Sequence, residues 1–428
     1  MLKVYTLSDL NQQDIARLCK RNVDEKKSIE IAVESIIHRV RSAGDVALIA
    51  YAKQFDGVNI NCLYLDKPEL ERLTSTIREE EKQALYQAYL NIKKFHQSQL
   101  KKEDKVETMA GVTCWRESRA IDRVGLYIPG GTAVLPSTFL MLGVPAQIVG
   151  CKEIIVCSPP QKDGQVNAYI AYCAHLLGID RIYLVGGAQA IAAMAYGTES
   201  IPKVDKIFGP GNQYVTKAKM LIQLNTQTAI DMPAGPSEVL VIADETANPI
   251  YVAADLLAQA EHGIDSQAIL VSNSVDMIQK VNLEIEKQLV VLNRSDIAGK
   301  ALKHSYAVLV SDLTQAMSFS NIYAPEHLIL AVDCWSKIGP EIKNAGSVFM
   351  GHFTPESAGD YASGTNHTLP TSSFAKAYSG VSVDSFIKKI TFQHITKEGI
   401  RNLGPTVQLL AELEGLDAHK NAVTVRLG

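Results

Sequence analysis

The sequence predicts an α/β protein built on mainly parallel sheets, and three observations carry that prediction. From about residue 124 onward, short β-branched runs alternate with Gly-rich turns and small-residue helices, as in VGLYIPGG, IVGCKEIIVCSPP, IDRIYLVGGAQAIAAMAYG and VDKIFGPGNQYV. That alternation is the pattern of strand-loop-helix units on a parallel sheet. A chain of 428 residues is long for one core, so two or three domains are expected, burying about three quarters of the unfolded surface. The balance of 42 basic against 46 acidic residues, a net charge of -4, argues against nucleic acid or an anionic membrane as the main partner. Small-molecule chemistry is the remaining class.

The elements follow in order. The start, MLKVYTLSDL, has no apolar run of signal-peptide length and meets Asp9 and Asp14 early, so export is not expected. Residues 28–40 and 45–55 carry helical apolar spacing. From Pro68, Leu70, Leu73 and Ile77 recur at helical intervals, then Ala84, Ala88, Ile92 and Phe95 do the same. Thr76 with Glu79 matches a capping box, which predicts two consecutive helices there. The uncharged run from Val124 to Cys151 has the length of a membrane span, but PGG, Pro136, Ser137, Thr138 and Pro145 make it a buried α/β segment instead. After Asp231 come the strand EVLVIAD, the helix DLLAQAEHG, the strand ILVSNS and further units to about Met350, with a helix from Leu313 to Ser320 leading into APEH. A Gly/Ser/Thr-rich loop, GHFTPESAGDYASGTNHTLPT, precedes a tail that opens near Ser382 with SVDSFIKKITF and continues as a Leu-rich helix. Ligands are expected at the ends of the parallel strands.

Seven of the ten histidines lie beyond residue 260, whereas the Gly-rich turns lie mostly before it. This asymmetry suggests cofactor handling early in the chain and acid-base or metal chemistry late. Gln259 and His262, three residues apart on a helix, share a face and can reach one point together. Taken alone, the pair reads first as a solvated helix edge and second as half of a metal site, for which imidazole and carboxylate donors are the usual zinc partners. Glu326 beside His327 in YAPEHL puts two proton acceptors side by side, suited to general-base work near neutral pH, or simply two exposed polar residues. Asp360 with His367 in the Gly-rich loop, and His419 near the end, complete the candidates. No GxGxxG follows a strand, so GPGN and GGAQ read either as tight turns or as cofactor contacts. The seven cysteines have no CxxC spacing, which excludes a disulfide framework or Cys-type zinc site and fits a reducing cytoplasm. Cys114 and Cys151, among apolar neighbours, read as small core residues rather than nucleophiles.

Taken together, VGLYIPGGTAVLPST, GGAQAIAAMAYG, FGPGNQYV, DMPAGPSEVLVIAD, DLLAQAEHG, YAPEHL, GDYASGTNHTLPT and EGLDAHKNAV closely resemble the histidinol dehydrogenase family, in order and nearly end to end. The resemblance implies a zinc- and NAD-dependent enzyme. It would oxidise L-histidinol to L-histidine through L-histidinaldehyde with two NAD, the final steps of histidine biosynthesis. By the same resemblance Gln259, His262, Asp360 and His419 hold one zinc per subunit, which chiefly orients the substrate. His327 is the base of both oxidations and Glu326 activates water for the second. Ser237, His367 and Glu414 contact substrate together with the metal residues and His327, and Tyr127, Gln189 and Asn212 contact NAD. The implied architecture is two Rossmann-like domains with mainly parallel sheets, a small N-terminal helical segment and a small C-terminal tail domain. The expected divisions are an extension over 1–25, one domain from 26–128 with 237–381 carrying the metal and acid-base residues, an NAD-side domain over 129–236, and a tail over 382–428. The implied assembly is a cytoplasmic homodimer whose tail, with Glu414 and His419, reaches the partner's site. Leu409, Leu410, Leu413 and Leu416 give that tail an apolar face in need of burial. Competing readings are a zinc hydrolase, a dehydrogenase of another small alcohol, and a non-catalytic assembly protein.

Overall fold

The computed structural model describes residues 1–21, 27–130, 134–233 and 235–428; parts of the IPGGTAV and MPAGPS loops lie outside them, as do the last residues of the expected N-terminal extension. Among the described residues fifteen strands run in chain order: β1 Lys3–Thr6, β2 Tyr64–Asp66, β3 Val106–Met109, β4 Val112–Ala120, β5 Arg123–Tyr127, β6 Glu153–Ser158, β7 Arg181–Leu184 and β8 Lys206–Phe208. They continue with β9 Ala229–Ile230, β10 Glu238–Ala243, β11 Gln267–Ser272, β12 Tyr306–Leu309, β13 His327–Ala331, β14 Ser347–Met350 and β15 Ile387–Ile395. Two six-stranded sheets result. The first has the order β2-β7-β6-β5-β8-β9, the second β1-β12-β11-β10-β13-β14, and β15-β4-β3 form a small third sheet. The second sheet is parallel throughout, and only β2 runs against its neighbour in the first.

Apolar residues cover both faces of each large sheet, as parallel strands flanked by helices require. In the second, Val239, Val241 and Ala243 of β10 pack toward helices Pro249–Ala260 and Val275–Leu289. Leu240 and Ile242 point the other way, onto Phe319 and Tyr323 of helix Leu313–Tyr323. The uncharged run becomes β5 and the buried helix Pro136–Val149. Among the described residues no helix is long and apolar enough to cross a membrane.

The sheets redraw the expected divisions. Of the stretch 26–128, grouped by expectation with 237–381, β2 and β5 belong to the first sheet and β3 and β4 to the small third one. Val33, Ile36, Leu48 and Ile92 of its helices share one core with Phe139, Ile155 and Ile191. Residues 1–21 are no loose extension, because β1 is the edge strand beside β12, and Leu2 N–H donates to Asn282 Oδ1 at 2.7 Å. The tail is not self-contained either: β15 pairs along its whole length with β4, a strand of the segment before β5. Two consecutive helices, Lys67–Thr74 and Glu79–Gln97, form as expected, but the cap between them differs. Thr76 Oγ1 donates back to Leu73 O at 2.7 Å, so Glu81 instead accepts from the Arg78 N–H at 3.1 Å. Residues 28–40 and 45–55 form two helical stretches within Lys27–Tyr51, separated by the non-helical backbone of Gly44 at φ 49°, the second ending in a wider turn over Ala52–Asp56.

Candidate active site

The sheet register places the acid-base pair. His327 opens β13 and lies level with Val239 of β10, so Glu326 stands across from the Glu238 backbone. The Glu238 N–H donates to Glu326 Oε2 at 2.9 Å, and the Glu238 carbonyl lies 3.3 Å from His327 Nδ1. Glu356 Oε1, at 3.4 Å, is a second acceptor near Nδ1. Acceptors on that side put the proton on Nδ1 and leave the Nε2 lone pair available. His327 Nε2 is buried without a hydrogen-bond partner, 3.7 Å from Asp360 Oδ1.

The helix Pro249–Ala260 leaves the far end of β10 and returns to this edge, delivering Gln259 in its last turn. His262 comes one residue past the helix cap, its N–H bonded to Gln259 O at 3.2 Å, so the two stay on one side although the helix stops between them. Gln259 is fully buried, and neither atom of its amide has a hydrogen-bond partner. An orphaned amide of this kind costs about 1–3 kcal/mol unless something satisfies it. After β14 the short helix Glu356–Tyr361 turns Glu356 and Asp360, four apart, onto one face. His262 Nε2 lies 4.0 Å from Asp360 Oδ2, and His262, Glu356 and Asp360 each offer a donor atom within 4.8 Å of the others. An orphaned buried amide delivered by the same turn as His262, with that imidazole 4.0 Å from a carboxylate, fits a divalent cation such as zinc.

Burial dominates the electrostatics. It pushes the Asp360 carboxyl up to about 7 and holds Glu326 and Glu356 well above the usual carboxylate range, Asp360 adding to both of the latter shifts and Glu326 to that of Glu356. It also drives His327 down to about 3 and His367 down to about 4, which keeps both rings neutral. His367 donates from Nδ1 to the Asp360 carbonyl at 2.9 Å and accepts at Nε2 from Thr138 Oγ1 at 2.8 Å. Thr138 sits on helix Pro136–Val149 of the first core, so His367 ties the two halves together beside the site. Ser237, half-buried, precedes β10 on the same edge.

Other candidates lie elsewhere. Tyr127 ends β5 and its hydroxyl accepts from Gly187 N–H at 3.1 Å, while Gln189 is buried in the first turn of helix Gly187–Tyr196. Asn212 caps helix Gln213–Asn225, its side-chain oxygen accepting from Tyr214 N–H and Val215 N–H at 3.0 and 3.2 Å. The preceding Gly209, at φ 131°, is held by its N–H to Asp231 Oδ2, and a side chain there would strike the Tyr127 carbonyl. Glu414 and His419 are exposed on the tail, whose helix Asp417–Leu427 packs on helix Lys397–Leu413. Within one chain they are not part of the cluster around Asp360. Cys151 is pushed up to about 12 by burial, unfit for a nucleophile, and Cys114 lies on β4 in the small sheet.

The sequence reading missed Glu356 and Glu238. Glu356 had a signal in its spacing to Asp360, and Glu238 in being the one charged residue opening the apolar strand EVLVIA.

The family model described as histidinol dehydrogenase matches residues 19–427. The chain belongs to the histidinol dehydrogenase family. It is 56% identical over 426 residues to the histidinol dehydrogenase of Bacteroides fragilis, covering 100% of this chain and 99% of that one. It is 55% identical to the chloroplastic histidinol dehydrogenase of Arabidopsis thaliana, over 100% of this chain and 91% of the plant protein. The crystal structure of histidinol dehydrogenase from Elizabethkingia anophelis superposes with a TM-score of 0.96 at 50% identity, covering 100% and 98% of the two chains.

Proposed function

We propose that this member of the family oxidises L-histidinol to L-histidine through L-histidinaldehyde, reducing two NAD in the final steps of histidine biosynthesis. The observation that carries the reading is the neutral His327, its Nε2 buried without a partner 3.7 Å from Asp360, whose other carboxylate oxygen lies 4.0 Å from His262. Gln259, His262 and Asp360 would hold zinc, with His419 of a second subunit as the fourth ligand, and the chemistry such an ion would supply is orientation of the substrate's imidazole and amine. Tyr127, Gln189 and Asn212 would hold NAD, which would supply the hydride acceptor. His327 Nε2 takes the hydroxyl proton as the alcohol carbon loses hydride, a task for which a neutral imidazole is the right form. For the second oxidation Glu326 takes a proton from the water that adds to the aldehyde, and His327 then deprotonates the hydrate. Ser237, His367 and Glu414 fix the substrate; His367 is itself fixed at both nitrogens.

Activity in this reading requires a homodimer. Leu409, Leu410, Leu413 and Leu416 are 58, 54, 75 and 41% exposed in the single chain, an apolar face that a second subunit would bury. A cytoplasmic location suits the seven free cysteines. The test is NADH formation from L-histidinol, before and after chelation and zinc re-addition. Two NADH per histidinol, lost and regained with the metal, is the expected result; none from zinc-replete dimer overturns the reading and leaves the hydrolase or another alcohol as substrate class.

A further inference from the structure

The turn FGPGN, which leads from β8 into the helix capped by Asn212, is held from beneath by a buried ion pair that the proposed chemistry does not use. Lys219, 5% exposed, comes from the middle of helix Gln213–Asn225, and Asp231 follows directly on β9 with its side chain enclosed. Lys219 Nζ and Asp231 Oδ1 are in contact. Each partner also takes one side of the same glycine: Gly209 N–H donates to Asp231 Oδ2 at 2.9 Å, and Lys219 Nζ donates to the Gly209 carbonyl at 3.0 Å. Asp231 is fixed in turn, Oδ1 accepting from Met232 N–H at 2.8 Å and its own N–H donating to the Ile207 carbonyl at 3.0 Å.

Gly209 is a residue that needs such a hold. At φ 131° and pressed against the Tyr127 carbonyl it has no room for a side chain, and glycine has the widest choice of backbone conformations to escape into. The turn it opens touches Tyr127 on one side and delivers Asn212 on the other. A buried ion pair adds little net stability, because desolvating both charges offsets their attraction, whereas hydrogen bonds from charged groups are short, strong and directional. We propose that Lys219 and Asp231 are positioning residues for the cofactor: closed on the N–H and the carbonyl of Gly209, they hold the turn between Tyr127 and Asn212 in its NAD-binding shape before the dinucleotide arrives. Preorganisation of this kind is expressed as affinity. The proposal rests on the reading of Tyr127, Gln189 and Asn212 as NAD contacts.

The experiment uses the full-length, zinc-replete enzyme and two readouts, NADH binding followed by the fluorescence of the dinucleotide and steady-state turnover of L-histidinol. The variants are Lys219→Met, Asp231→Asn, Asp231→Ala and Asn212→Ala. Lys219→Met leaves Asp231 with two N–H donors and with the neighbouring charge of Lys206, so folding is expected. In that variant the Kd for NADH and the KM for NAD should both rise about tenfold, the loss of one charge-assisted hydrogen bond. Turnover at saturating NAD and the KM for L-histidinol should stay within about twofold. Asp231→Asn, which keeps an acceptor for the Gly209 N–H but gives up the charge, should weaken NADH by about threefold, and Asp231→Ala by more. NADH affinity within about twofold of wild type in Lys219→Met and Asp231→Ala, or turnover that falls with an unmoved KM for NAD, reduces the pair to a fold-holding role and overturns the proposal. Tighter NADH binding in Asp231→Asn overturns it equally, since the uncovered lysine would then act by charge and not by holding the turn. If Lys219→Met fails to fold, wild-type NADH affinity in the near-isosteric Asp231→Asn overturns it. Wild-type enzyme that binds no NADH, or Asn212→Ala that binds it undiminished, refutes the cofactor reading itself; binding that depends on Asn212 but not on Lys219 or Asp231 refutes only the clasp.

Discussion

The two parallel sheets present opposite edges to their candidate ligands. In the first, Tyr127, Gln189 and Asn212 gather at the carboxyl ends of β5, β7 and β8, where helices begin and backbone N–H groups point outward. That edge suits the pyrophosphate of a dinucleotide. In the second, Ser237, Glu326 and His327 sit at the amino ends of β10 and β13, where helix Pro249–Ala260 ends. The negative end of a helix and a nest of carboxyl groups suit a cation. The difference teaches that one architecture offers an anion edge and a cation edge, and that strand direction decides which residues can serve each.

The comparison breaks most sharply at His327. His327→Ala should lower turnover by at least about 100-fold, with folding and zinc content near normal; wild-type turnover in that variant would detach the amino edge from the chemistry. Next comes the tail. Mixing His419→Ala with His327→Ala subunits should restore about a quarter of wild-type activity if each site combines one subunit's edge with the other's tail. No recovery after verified subunit exchange argues for sites completed within one chain. The cation edge also has a pH signature. Asp360 at about 7 is protonated below neutrality, and a metal must displace that proton, so apparent zinc affinity should rise as pH climbs from 6 to 7 and flatten above. Calorimetry in two buffers showing no proton release at pH 6 would contradict Asp360 as a ligand. Smallest is the anion edge: Asn212→Ala should cost about 0.5–2 kcal/mol through the lost cap and raise the KM for NAD more than it lowers kcat. A change in kcat alone would remove Asn212 from cofactor binding.

Much of this was readable in the chain. Strands such as EVLVIA and QAILVS announce themselves by composition, and the spacing of Gln259 and His262 already placed them on one side. What the spacing could not show is convergence. Glu238, Glu326 and Glu356 lie far apart in sequence and meet because β10, β13 and β14 are parallel neighbours in register. The grouping of 27–128 also escaped local reading, since the apolar face of helix Lys27–Tyr51 does not say which sheet it covers. The Thr76 cap failed for a local reason, a hydroxyl that bonds backward to a carbonyl rather than forward to an N–H.

The edge position of β1 sets an order of assembly. Nearly all of the first sheet's core comes from one continuous stretch, Val33 to Met232, and can close as soon as that stretch has left the ribosome. β1 emerges before any of it, yet its partner β12 is some 300 residues away, a separation that makes the pairing slow. The sheet that carries the acid-base pair is therefore completed well after the first, and its first strand waits unpaired through most of synthesis, an exposed edge in need of cover.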